Sequence, residues 1–107
     1  MRKNKVAQPQ TGVEIKYHPL VFRVDIPKLD KAVRERIKIS IEKKLAIAPL
    51  LYGIPLRNEL RPLRKVRIGD YRILFLLEDM EVFIIAIGNR KEIYKLTKKR
   101  IQVYTIW

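Results

Sequence analysis

The sequence contains no cysteine. That excludes a disulfide framework and any thiolate metal site, and it suits a reducing compartment. Histidine is almost missing as well: His18 stands alone, so a His-based metal site and a His general base both lack their residues. No apolar run approaches the roughly 18 residues that span a bilayer. Arg2, Lys3 and Lys5 are followed by polar residues, not by the apolar stretch of a signal peptide. Acidic residues are the other shortage, with 11 Asp and Glu against 24 Lys and Arg and a formal charge of +13. On 107 residues that excess implies an anionic partner: nucleic acid, an anionic membrane or an acidic protein. The length suits one domain with a modest core, and no repeat or low-complexity segment divides it.

Residues 1–12 show no apolar periodicity and read as a flexible basic arm, leaving 13–107 as the domain. Pro19 argues against a strand running through it, so the first strand is expected at Leu20 to Asp25, with His18 a surface or strand-edge residue. Asp25 or Pro27 would then start a helix. Leu29, Val33, Ile37, Ile41 and Leu45 recur every fourth residue, the stripe of an amphipathic helix of about five turns. Its other side, with Lys31, Arg34, Glu35, Lys38, Glu42 and Lys43, reads as a solvated face. Pro49 ends the helix, and Leu50 to Glu59 is a connector whose Leu51 and Tyr52 would cap one edge of the core.

The stretch from Leu60 to Tyr94 organises the rest. Gly69-Asp70 between Ile68 and Tyr71 is a two-residue hairpin signal with Gly where positive φ is needed. That turn sets Arg67 opposite Arg72, Val66 opposite Ile73 and Lys65 opposite Leu74. Because side chains alternate along a strand, Val66, Ile68, Tyr71, Ile73, Phe75 and Leu77 share a core face, and Lys65, Arg67 and Arg72 share the other. A second turn at Asp79-Met80 would add Val82, Ile84 and Ala86 to the core face. Phe83, Ile85 and Ile87 would join Leu74 and Leu76 in an apolar strip beside the basic cluster. Gly88-Asn89 closes the third strand, and Asn89 is placed to cap a helical pattern over Arg90 to Leu96. The β-prone tail VYTIW, ending in Trp107, is expected to cover the strip.

The fold class that follows is a small α+β domain. An N-terminal strand and a long helix precede a three-strand antiparallel meander and a short C-terminal helix. Arg67 facing Arg72 costs up to roughly 1 kcal/mol in an empty sheet. Either the two splay into water, or an anion sits between them, phosphate being what guanidinium forks hold well.

Arg67-Ile68-Gly69-Asp70-Tyr71-Arg72, then Ile87-Gly88-Asn89-Arg90 and Tyr94, following a strand and a long helix, resemble the RelE/ParE superfamily of bacterial and archaeal type II toxins. The resemblance spans residues 13 to 96. It implies an antiparallel sheet with helices on one face and a basic concave face on the other. It also implies a cytoplasmic toxin restrained by a cognate antitoxin through an acidic or amphipathic segment, without membrane, metal or small-molecule cofactor. In the RelE branch the toxin cleaves mRNA on the ribosome, the 2′-hydroxyl attacking the adjacent phosphodiester. The family's catalytic positions fall on Lys65, Arg72, Arg90 and Tyr94, and its RNA-binding positions on Arg61, Arg64, Arg67 and Lys91. The residue types suit that reaction: positive charge stabilises the pentavalent phosphate, and a lysine or tyrosine can handle the 2′ proton. Relatives with Glu and His at the catalytic centre have no counterpart here, and Arg64 stands where many carry an aromatic. The ParE branch shares the fold, acts on DNA gyrase and lacks much of this cluster.

Overall fold

A computed structural model describes residues 13–105, with side chains through Gln102; the expected arm at 1–12 and the residues Ile106 and Trp107 lie outside the described part. A five-stranded sheet in the order β1-β5-β4-β3-β2 forms its middle layer. The strands are β1 (Glu14–Tyr17), β2 (Ile54–Pro55), β3 (Arg64–Ile68), β4 (Tyr71–Glu78) and β5 (Glu81–Asn89). Three helices complete it: α1 (Lys31–Ser40), continued by a wider helical turn over Ile41–Leu45, α2 (Pro49–Tyr52) and α3 (Ile93–Thr105).

The expected meander is present in the expected register, with Lys65 opposite Leu74, Val66 opposite Ile73 and Arg67 opposite Arg72. Gly69 adopts φ +61 at the first turn, and Asp79 takes the left-handed conformation at the second, φ +54, without a glycine. The stripe also behaves as read. Leu29, Ile37, Ile41 and Leu45 pack on Val66, Ile68, Ile73, Phe75, Val82 and Ile84 in one buried cluster.

Six details differ. The first strand is Glu14–Tyr17, not Leu20 to Asp25; it runs parallel to β5, and the chain from Val21 to Asp25 is helical. Pro19 stands at the head of that helical turn, where its missing N–H costs nothing. Val21, Asp25 and Leu29 are buried at a spacing of four, so packing overrides the β preference of Val21 and Val24. His18 is buried rather than at the surface. The long helix begins at Asp30, whose Oδ1 accepts a hydrogen bond from Val33 N, and Pro49 opens α2 as its first residue. Leu51 and Tyr52 are exposed and cap nothing.

The remaining differences lie in β5 and α3. β4 and β5 slip register between Leu74 and Phe75: Leu74 faces Ala86 while Phe75 faces Ile84, so Ile85 is an extra, bulged residue. Beyond it the faces exchange. Ile87 joins the α1 core, and Ala86 joins Ile85 on the opposite side. That side is covered too, so helices lie on both faces of the sheet. Leu60, Leu63, Leu74, Ile85, Ala86 and Ile93 form a second buried cluster, with Leu96 and Ile101 of α3 against it. α3 covers that side with Leu96 and Ile101 and runs 13 residues where a short helix was expected; the covering expected of the tail lies outside the described side chains.

The end of β1 explains the most deeply buried charges. β1 accompanies β5 only as far as Ile84, which leaves the rest of that edge without a neighbouring strand. Asp25 and Arg100 fill the gap. Ile87 N donates to Asp25 Oδ2 (2.9 Å), and Arg100 Nη1 donates to Ile85 O (2.8 Å). The two side chains join through a bidentate pair, both bonds 2.7 Å.

Removing one member of a buried ion pair leaves the other charge stranded. Asp25→Ala should therefore lower unfolding free energy by about 3–5 kcal/mol in chemical denaturation. An apolar double replacement, Asp25→Leu with Arg100→Met, should not restore stability, because Ile85 O and Ile87 N would then be left unpaired at a buried edge. Recovery to the wild-type midpoint would show that the pair is not needed to finish the sheet.

His18 predicts an acid dependence. Burial, aided by the charge of Arg100 and opposed by Asp25, lowers its pKa from the ordinary 6.5. Its Nδ1 accepts from Leu20 N (3.0 Å), which requires an unprotonated nitrogen. The unfolded chain thus binds the proton more readily, so stability should fall as pH drops below about 6.5. His18→Asn should flatten that slope in melting curves between mildly acidic and neutral pH.

Candidate nucleic-acid interface

The basic residues of β3 occupy alternate positions because Val66 and Ile68 must face α1. Lys65 and Arg67 consequently project from the other face, the side on which α3 packs. α3 is brought close by Gly88: a Cβ there would lie 3.3 Å from Ile93 Cδ1, near enough to press the first turn of α3 away. Ile93 is fully buried, which fixes the next residue, Tyr94, over the strand. Lys65 Nζ donates to Tyr94 Oη at 3.2 Å and lies 5.7 Å from the centre of its ring. Two residues 29 apart in sequence thus share a proton-bearing contact on the sheet face.

Arg67 is the next side chain along the row. It is exposed, and among the described residues it makes no hydrogen bond or ion pair of its own. Arg72, opposite it, is buried at 7 % exposure. Its Nη1 donates to Gly69 O (2.8 Å) and Tyr71 O (2.9 Å), so Arg72 ties down the hairpin turn. Arg90 stands beside the same turn: its N donates to Asp70 O (2.8 Å), and its Nε lies 3.7 Å from Asp70 Oδ1. Asn89 Oδ1 accepts from Lys91 N (2.8 Å), closing the turn ahead of α3 and not capping the helix itself.

The candidate residues are only partly gathered. Lys65, Tyr94, Arg67, Arg72 and Arg90 follow one line from α3 to the hairpin tip. Lys91 is exposed just past it. Arg64 points to the other face, where its Nη1 donates to Gly53 O (2.8 Å) and ties the connector to β3. Arg61 is exposed in the loop before β3, flanking a shallow cleft with Pro55, Leu56 and Pro62. A further arginine, Arg36 of α1, reaches the tip from the opposite side: a Cβ at Gly69 would lie 3.0 Å from its Nη2. No spacing in the sequence ties Arg36 to the hairpin; only the docking of α1 does.

Among the described residues no helix is long and apolar enough to cross a membrane. No curated protein matches the sequence. Among solved structures, the chain is similar to the Mycobacterium tuberculosis RelBE2 toxin–antitoxin complex, with 27% identity and a TM-score of 0.69 over 74% of this chain and 99% of that one. It shares the fold of a mutant Escherichia coli toxin RelE in its free state (23% identity, TM-score 0.63, 84% and 98% covered). The archaeal RelE–RelB complex of Pyrococcus horikoshii has that fold too (23%, 0.61, 74% and 96%). The family model for the ParE toxin of type II toxin–antitoxin systems matches residues 15–94, from β1 to the tyrosine over Lys65. With the family model matching most of the chain and the fold shared with solved toxins of that kind, the protein is a type II toxin of the RelE/ParE superfamily.

Proposed function

We propose that this toxin is a ribosome-dependent mRNA endoribonuclease, held in check by a cognate antitoxin that presents an acidic or amphipathic segment. The observation that carries this reading is the Lys65–Tyr94 contact at one end of a basic row. In the reaction the 2′-oxygen bonds to the neighbouring phosphorus while the bond from phosphorus to the 5′-oxygen breaks, giving a cyclic phosphate and a free 5′-hydroxyl. In this reading the Lys65 ammonium gives a proton to the departing 5′-oxygen, and Tyr94 Oη passes on to Lys65 the proton that the 2′-hydroxyl releases, so the pair ends in the protonation state in which it began. Arg67 supplies an unengaged fork for the phosphate oxygens, whose charge grows in the pentavalent state. Arg72 acts through the β3–β4 turn, whose carbonyls it holds, and Arg90 stands beside that turn with its guanidinium exposed. The partner is supported by the similar structures, two of which are toxin–antitoxin complexes.

The match to the ParE model favours a second reading, in which the target is DNA gyrase and the row is a binding surface. The two part in a purified translation system. Lys65→Ala and Tyr94→Phe should each lower cleavage of ribosome-bound mRNA by about 10²-fold or more, the usual scale for losing proton transfer in the transition state. Arg34→Ala, on the far face of α1, should stay within a few-fold. Arg72→Ala should lower both cleavage and melting temperature, since two turn bonds go with it. A wild-type protein that leaves mRNA intact yet blocks supercoiling would replace the first reading with the second.

A further inference from the structure

Three arginines from separate elements converge on the two residues of the β3–β4 turn. Arg72 holds Gly69 O from within the sheet, Arg90 lies beside Asp70 on the α3 side, and Arg36 of α1 lies against Gly69 from the other side. The turn's carboxylate, Asp70, is itself exposed and pairs with Arg90 at 3.7 Å. Arg36 is exposed, and no hydrogen bond or ion pair to it is found among the described residues. Its five donors are therefore available to a ligand beside the turn. Gly69 makes the approach possible, since any side chain there would meet that guanidinium as well as oppose φ +61.

Three guanidinium groups beside one carboxylate leave an excess of positive charge at the turn, and that favours an anion. Lys65 lies four residues along the strand from Gly69, roughly 13 Å at about 3.3 Å per residue. A group bound at the tip is therefore a different one from the phosphate at Lys65 and Tyr94. We infer that the hairpin tip is a second phosphate-binding point. Arg36 and Arg90 grip the backbone of single-stranded RNA a short way from the bond to be cut, so that the strand runs over the tip toward α1. This inference takes the identity of its ligand from the cleavage reading, but it concerns binding and stands or falls separately.

Its test is the salt dependence of binding to a fluorescent oligo-uridine by the full-length protein. Each phosphate contact to a single strand contributes about 0.7 to the slope of log affinity against log salt. Arg36→Ala and Arg36→Gln should flatten the slope by about that amount. Arg36→Lys should keep it, and Arg34→Ala, which removes the same charge elsewhere on α1, should leave it unchanged. An unaltered slope for both neutral Arg36 variants overturns the site. So does a wild type that does not bind the RNA, or one that instead binds oligo-glutamate in an Arg36-dependent way. If ribosome-bound mRNA is never cut but oligo-uridine binds with an Arg36-dependent slope, the cleavage reading fails and the tip site survives.

Discussion

The structure depends on finishing an edge. β5 lies between β1 and β4 and supplies Val82, Ile84 and Ile87 to the α1 core, yet its companion β1 stops at Ile84 and a bulge at Ile85 breaks its alternation. Backbone groups at a buried edge cost about as much as any lost hydrogen bond unless something meets them. Asp25 and Arg100 meet them, and each also neutralises the other. Because Arg100 belongs to α3 and Asp25 to the segment before α1, finishing the edge also fastens α3 to the sheet. Burying two charges is costly, so this pair is poor evidence of stability for its own sake. Its value lies in location: Arg100 stands two helical turns beyond Ile93, and the helix it anchors carries Tyr94 over Lys65.

The same bulge shapes the interface. By placing Ile85 and Ala86 together on the second face, it gives α3 an apolar floor there, while Ile87 is returned to the first core. The basic row occupies the part of that face that α3 leaves open. An apolar floor under one half and open charge on the other let α3 reach the row with its tyrosine while Arg67 stays in solvent.

The hairpin was legible because two constraints agree: Gly69 needs its positive φ, and a slip by one residue would turn Val66, Ile73 and Phe75 to the wrong side. The stripe from Leu29 to Leu45 was legible for the same reason, a period held over several turns. The bulge was not, since Ala86 and Ile87 are both apolar and no residue type marks the inserted position. Val21 to Asp25 misled because β-branched residues are counted as strand formers, whereas their burial at every fourth position is set by a core not visible locally. Of the candidate site, Lys65, Arg67 and Tyr94 followed from alternation and resemblance. Arg64 did not, because parity alone already assigned it to the face of Val66. The Asp25–Arg100 pair joins residues 75 apart, and nothing in either neighbourhood announces it.

Arg67 and Arg72 show how a local conflict is resolved. Set opposite each other, two guanidinium groups repel, and the register leaves no freedom to separate their Cα atoms. The fold makes them unequal instead. Arg72 turns back along its own strand, where the carbonyls of Gly69 and Tyr71 take up its charge in short hydrogen bonds. Arg67 is left to project into water with its donors unspent. One arginine becomes part of the hairpin, and the other keeps the full fork for an anion. The turn that Arg72 stiffens is also the one that receives Arg90 N and lies under Arg36. Substituting Arg72 would therefore disturb the position of every cation at the tip, whether or not its own guanidinium ever touches the ligand.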